Sequence, residues 1–129
     1  MSFFNSIFGA SESNSQASPV QWIPLTDLGQ LNEISEASFQ QPVIIFKHST
    51  RCSISRMALK QFENEFNLQD KVTPYFLDLL EYRPISNEIA DRFQVFHQSP
   101  QLILVKEGNA IYDVSHSDIQ VDDLAKKLL

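Results

Sequence analysis

Along most of its length, the chain alternates short apolar runs with longer amphipathic segments. Residues 43–46 form a run of four apolar side chains, three of them β-branched, which is too short for a helix and predicts a strand buried on both faces. Further strands are predicted at 72–79, although Pro74 disfavours the early part of that strand, at 101–105 and at 110–114. A turn at 107–109 joins the last two strands, so we expect them to form a hairpin.

Four amphipathic segments alternate with these strands or follow them, and each predicts a helix. Thr26 and Asp27 are expected to cap the first helix, and Pro84 lies in the first turn of the third, which ends near Phe93. The predicted apolar faces consist of Leu28, Leu31, Ile34 and Phe39 in the first helix, Ile54, Ala58, Phe62 and Phe66 in the second, and Leu124, Leu128 and Leu129 in the last.

The order helix–strand–helix–strand–helix–strand–strand–helix implies parallel pairing by right-handed crossovers, followed by an antiparallel hairpin. It predicts an α/β protein with a thioredoxin-like fold, in which helices flank a mixed four-stranded sheet. A chain of 129 residues allows one such domain, which we place at residues 20–129. Residues 1–19, which are Phe-rich and then small and polar, are expected to form a flexible leader and linker.

Composition excludes several classes of function. The formal net charge of −6 and the lack of a Lys/Arg cluster argue against nucleic-acid binding. No apolar stretch is long enough to predict a membrane span. A single cysteine cannot form an internal disulfide, and the N-terminus makes a poor signal peptide, so we expect a cytoplasmic protein.

That one cysteine, Cys52, falls where the first predicted strand gives way to a helix. Free backbone N–H groups and the positive end of the helix dipole at such a junction favour a thiolate over a thiol. Lys47 and His48 are candidates to stabilise the thiolate further by their charge, although a surface histidine is an equally good interpretation of His48. The alternative for the cysteine is a buried, inert side chain, but polar neighbours on both sides of Cys52 favour a reactive one.

Ser55 lies one helical turn after Cys52, where dithiol oxidoreductases carry a second cysteine. A serine cannot attack a mixed disulfide, so release must depend on an external thiol; the alternative for Ser55 is a solvated or backbone-bonded hydroxyl. Ser99-Pro100, directly before a strand, suits a cis peptide bond. The wide spacing of His97, His116 and Cys52 fits no metal-ligand motif, and Asp78 is interpreted as a solvated acid at a strand end.

The run Phe46-Lys47-His48-Ser49-Thr50-Arg51-Cys52-Ser53-Ile54-Ser55, with Ser99-Pro100 before a strand, resembles the monothiol bacilliredoxins, the YtxJ-type thioredoxin-like family. The resemblance covers about residues 20–129. It implies a thiol–disulfide oxidoreductase with Cys52 as nucleophile and Ser55 at the former resolving position. The expected substrate-binding residues are Thr50, Arg51, Ser53, Ser55, Ser99 and Pro100.

The resemblance also implies partners. Bacillithiol is the expected thiol co-substrate, no cofactor is expected to bind tightly, and the protein partners would be S-thiolated cytoplasmic proteins. Phe46 occupies the position where thioredoxins have a buried Asp, and residues 114–117 stand where glutaredoxins have a Gly-Gly pair, so glutathione is a doubtful partner. The competing hypothesis is a non-catalytic thioredoxin-fold module that binds proteins.

Overall fold

The computed structural model describes residues 19–129, so most of the predicted leader lies outside the described residues. Within them, the strands are β1 (Ile23–Pro24), β2 (Val43–His48), β3 (Thr73–Asp78), β4 (Gln101–Lys106) and β5 (Asn109–Ser115). The helices are α1 (Gln30–Ala37), α2 (Ser53–Glu65), α3 (Arg83–Phe93) and α4 (Val121–Lys127), and a 3-10 turn spans His116–Asp118.

The strands form one mixed sheet in the order β1-β3-β2-β4-β5. β3 runs parallel to both β1 and β2, whereas β4 is antiparallel to β2 and β5. The sheet therefore has five strands rather than the predicted four. The additional strand, β1, has only two residues, both exposed, and so lacks the apolar pattern that predicts a strand.

Pro74 lies inside β3, where the sequence disfavoured a strand. It pairs in register with Ile44 of β2, whereas β1 pairs only with Tyr75 and Phe76. Pro74 is thus beyond the end of β1, at a position where one side of the strand is open, which is where a sheet tolerates proline.

The sheet separates two apolar clusters. Ile45 and Val43 of β2 face the cluster beneath α1 and α3, whereas Ile44 and Phe46 face the cluster beneath α2 and α4. Trp22 anchors the second cluster: its ring lies 5.6–6.0 Å from the rings of Phe46, Phe62 and Phe76, and its Nε1 donates to Glu63 Oε2 of α2 at 2.7 Å. Phe46, Phe62 and Phe66 are buried on this side, whereas Phe93 is buried on the other.

Several residues predicted to face the core are exposed instead: Leu28, Phe39, Ile54 and Leu129. Leu28, Phe39 and Leu129 lie outside their helices, which are shorter than the apolar spacing indicated. The predicted cap is also different, because Asp27 accepts a hydrogen bond from Gly29 N in a turn before α1 begins.

Candidate active site

Cys52 is the N-cap residue of α2 and is partly exposed. Its carbonyl oxygen accepts the first hydrogen bond of the helix, from Arg56 N at 3.0 Å. The side chain therefore starts at the end of the helix where backbone N–H groups are free and the dipole is positive. Arg56 adds a positive charge to this first turn. The predicted position of Cys52 at a strand-to-helix junction is confirmed.

The loop between β2 and α2 is held by contacts from the helix that follows it. Cys52 N donates to Ser49 O at 3.2 Å, which closes a turn over residues 49–52. Ser49 N donates to Ser55 Oγ at 3.0 Å, and Arg56 Nη1 donates to Thr50 O at 3.1 Å. Hydrogen bonds thus hold the backbone N–H and carbonyl of Ser49 and the carbonyl of Thr50, which fixes the loop that presents Cys52.

Ser55 is fully buried, and its hydroxyl lies 2.8 Å from His48 Nδ1 as well as 3.0 Å from Ser49 N. Of the two non-catalytic interpretations of Ser55, the solvated hydroxyl is wrong and the backbone-bonded one is correct. The sequence shows a serine at a former cysteine position but carries no local signal that it pairs with a histidine seven residues earlier.

His48 is the last residue of β2 and is 5% exposed, so the surface histidine that the sequence also allowed is excluded. Its ring lies 5.5 Å from that of Phe76. Burial is the largest influence and lowers the pKa of His48 below its usual 6.5. The negative charge of Asp78 opposes this shift, the positive charge of Arg56 adds to it, and the negative charge of Glu63 opposes it. The net effect favours a neutral imidazole at pH 7.

Lys47 points to the face of the sheet opposite to His48. Side chains alternate along a strand, and Ile45, two residues before Lys47, faces α1 and α3. It is fully buried, and its Nζ lies 2.8 Å from His97 Nδ1. Burial lowers the pKa of Lys47 from 10.5 to about 8. Its ammonium group therefore faces away from α2, whereas His48 faces towards it.

The Ser99-Pro100 peptide bond is cis, as predicted. Gln101 pairs with Lys47 across the antiparallel β2–β4 pair. Pro100, one residue earlier in the chain, therefore lies next to His48, at the end of the sheet where Cys52 lies. Pro100 O accepts a hydrogen bond from His116 N at 3.1 Å, which brings the end of β5 to the same edge. Ser99 Oγ is buried without a hydrogen-bond partner among the described residues.

Thr50, Arg51 and Ser53 are all exposed around Cys52. Thr50 and Arg51 line a surface depression together with Asp78, Leu80 and Glu81. Asp78 is only partly exposed, and its Oδ1 is buried with no hydrogen-bond partner among residues 19–129, so the interpretation of Asp78 as a fully solvated acid is wrong.

An apolar groove lies along α2. It has a volume of about 150 Å³ and is lined by Ile54, Met57, Ala58, Gln61, His116, Ser117 and Ile119. Ile54 and Met57 are 55% and 71% exposed. Ile54 was predicted to face the core, and Met57 was not predicted as part of the site. The signal was available, since Ile54 and Met57 are three residues apart and so form an apolar stripe distinct from the one that carries Phe62.

The described part of the chain holds no group of three or more His, Cys, Asp and Glu side chains arranged to bind a metal ion. Within that same part, no helix is long and apolar enough to cross a membrane. The chemistry that the site offers is that of one partly exposed sulfur at a helix N-terminus.

Comparison with known proteins agrees with this geometry. A solved structure described provisionally as an oxidoreductase with a thioredoxin fold is 32% identical, with a TM-score of 0.71 over 81% of this chain and 90% of that chain. The thioredoxin of Malassezia sympodialis is 19% identical, with a TM-score of 0.66 over 88% of this chain and 93% of that one. Spinach chloroplast thioredoxin f (long form) is 17% identical, with a TM-score of 0.62 over 86% of each chain.

These similarities confirm the thioredoxin-like fold. The 32% identical structure and the one cysteine of this chain define a thiol–disulfide oxidoreductase with a single thiol. The family model of the monothiol bacilliredoxin BrxC matches residues 23–124. The chain belongs to the monothiol bacilliredoxin family.

Proposed function

We propose that this protein removes bacillithiol, or a similar small thiol, from mixed disulfides on other proteins, with Cys52 as nucleophile. The observation that carries the proposal is the position of Cys52, which is the only cysteine of the chain and the N-cap of α2. The family supports bacillithiol as the small thiol. Cytoplasmic S-thiolated proteins are the proposed partners.

In the first step, the Cys52 thiolate attacks the sulfur of the small thiol in the mixed disulfide. The bond between the two substrate sulfurs breaks, the protein thiolate leaves, and a new disulfide joins Cys52 to the small thiol. In the second step, the thiolate of another small-thiol molecule attacks that adduct. It regenerates the Cys52 thiolate and leaves as a disulfide of two small thiols, which a separate reductase then reduces.

The residues around Cys52 have separate parts in this proposal. The N-terminus of α2 stabilises the Cys52 sulfur as the attacking thiolate and as the leaving group. Thr50, Arg51 and Ser53 form the exposed rim that meets the small thiol, and the backbone at Ser99 and Pro100, just before β4, meets the extended backbone of the substrate. Because Ser55 provides a hydroxyl rather than a thiol, the adduct persists until an external thiol arrives.

The test uses a protein whose single cysteine carries bacillithiol, incubated with the full chain and followed by intact mass spectrometry. We expect the bacillithiol mass to move from the substrate to this protein in a ratio of one to one. Cys52→Ser should neither accept the group nor release the substrate thiol. Retained activity in Cys52→Ser would refute the mechanism, and equal transfer from a glutathionylated substrate would refute the preference for bacillithiol.

A further inference from the structure

A buried chain of hydrogen bonds connects β2 to the first turn of α2. The Ser55 hydroxyl lies at its centre, 2.8 Å from His48 Nδ1 and 3.0 Å from Ser49 N. Both His48 and Ser55 are buried, at 5% and 0% exposure. Water therefore has little access to these groups, so the Ser55 hydroxyl and His48 Nδ1 depend on each other for a partner.

The number of protons in this chain fixes its direction. A backbone N–H only donates, so Ser49 N uses one lone pair of the Ser55 oxygen. The hydroxyl has one proton, and the acceptor within hydrogen-bond distance of it is His48 Nδ1. A neutral His48 with its proton on Nε2 accepts that bond, and both contacts of Ser55 are then satisfied.

We propose that His48 is a positioning residue for the Cys52 reaction. By accepting a hydrogen bond from the Ser55 hydroxyl, His48 orients a lone pair of the Ser55 oxygen towards Ser49 N and so fixes the turn that presents Cys52 on α2. This inference rests on the proposed role of Cys52 as nucleophile. It gives Ser55 a function of its own at the position where a second cysteine is absent.

Protonation of His48 reverses the polarity of this chain. Nδ1 then becomes a donor, two donors face the Ser55 oxygen, and the hydroxyl proton is left without an acceptor in a buried site. The charged groups that act on His48 are Asp78 of β3 and Arg56 and Glu63 of α2, with burial as the largest influence. Acid should therefore loosen the turn over residues 49–52 before it unfolds the protein.

The experiment compares His48→Asn, His48→Leu and Ser55→Ala by the rate at which iodoacetamide alkylates Cys52 between pH 5 and pH 8. The asparagine side chain would keep an acceptor near the position of Nδ1, so His48→Asn should react at the wild-type rate at pH 7. By contrast, His48→Leu and Ser55→Ala should react about fivefold more slowly, the equivalent of one hydrogen bond. Ser35→Ala on α1 is the serine control and should match the wild type.

The pH profile separates positioning from a purely structural role. The wild-type rate should show an additional decrease as His48 protonates, and His48→Asn should lack that decrease. Identical profiles in the wild type and His48→Asn, or a wild-type rate in folded Ser55→Ala, would overturn the proposal. Because alkylation needs no disulfide substrate, its result does not depend on whether the protein transfers bacillithiol. Circular dichroism checks folding, and if His48→Leu fails to fold, His48→Asn and Ser55→Ala still decide the question.

Discussion

Lys47 Nζ and His97 Nδ1 lie 2.8 Å apart, and Lys47 is fully buried. The pKa of His97 is lowered by burial, by Lys47 and by Arg83, so this partner is a neutral base rather than a counter-ion. A buried ammonium group whose partner is a neutral imidazole reduces the stability of the fold.

Replacement of Lys47 by Met should therefore stabilise the protein at pH 7. The pKa of Lys47 is about 8 in the fold and 10.5 in the unfolded chain, so the unfolded chain binds more protons between these values. The destabilisation is thus fully present below pH 8 and is relieved as the pH rises to 10.5. We expect Lys47→Met to raise the free energy of unfolding by about 1–3 kcal/mol at pH 7.

Urea denaturation at pH 7 and pH 10.5 measures this effect. The difference between Lys47→Met and the wild type should shrink at the higher pH, because neutral Lys47 no longer opposes folding. A variant that is less stable than the wild type at pH 7 would contradict the argument.

Cys52 should be more reactive in the folded protein than in the unfolded chain. The N-terminus of α2 stabilises its thiolate only while the helix is formed. Alkylation by iodoacetamide at pH 7, compared with and without 8 M urea at matched reagent concentration, gives the ratio directly, and we expect a value of about 3 to 10 in favour of the fold. A ratio below one would show that the site protects the sulfur instead of activating it.

Ser55→Cys should convert the protein into a dithiol enzyme. The Cβ atoms of residues three apart on a helix are about 5–6 Å apart, so modest opening allows a disulfide with Cys52. The new thiol should then displace bacillithiol from Cys52 within one turnover. Intact mass spectrometry would show the adduct replaced by a protein two hydrogens lighter than its reduced form. Ser55→Ala is the matched control and should keep the adduct.

The same Ser55→Cys variant should form its adduct more slowly than the wild type. A thiol is a weak hydrogen-bond acceptor and donor, so Ser49 N and His48 Nδ1 both lose a strong partner. Stopped-flow rates of adduct formation would show a decrease of about fivefold. An undiminished first step would mean that the hydroxyl does not position the turn.

The groove along α2 should contribute to binding of protein substrates. Ile54→Ser with Met57→Ser removes two exposed apolar side chains worth about 1–2 kcal/mol of burial in a complex, which lowers kcat/KM for a thiolated protein by about 5- to 30-fold. The reaction with a small disulfide should be unaffected. Leu129→Ser, which removes an exposed leucine after α4, is the control, and an equal loss for small and protein substrates would exclude docking at the groove.

Much of the architecture was predictable because short apolar runs alternate with amphipathic segments of helical spacing, and a turn signal joins the last two strands. Residues 43–46 predicted the strand but not its last two residues, since Lys47 and His48 are polar and yet buried. Their burial depends on partners distant in sequence, such as His97, which no local pattern reveals. β1 was not predicted because its two residues are exposed and carry no apolar pattern, and pairing with β3 alone places them in the sheet.

The site also has a part that the sequence predicts and a part that it does not. Cys52 at a helix start and the cis bond before Pro100 follow from residue type and position, and both were predicted. The contact between His48 and Ser55 requires β2 and α2 to pack at one particular register, which periodicity alone does not define. Ile54 was assigned to the core because it fits the four-residue spacing of Phe62. Eight residues of helix rotate about 80° beyond two full turns, however, and Ile54 is 55% exposed.

Trp22 gives the molecule a built-in optical reporter. It is the only tryptophan of the chain, its indole N–H is bonded to Glu63 near the end of α2, and its ring lies among three phenylalanines. Because Cys52 begins the same helix, any displacement of α2 during the redox cycle alters the polarity around Trp22. Its fluorescence emission would then follow the cycle in real time, in the unmodified protein and without a label.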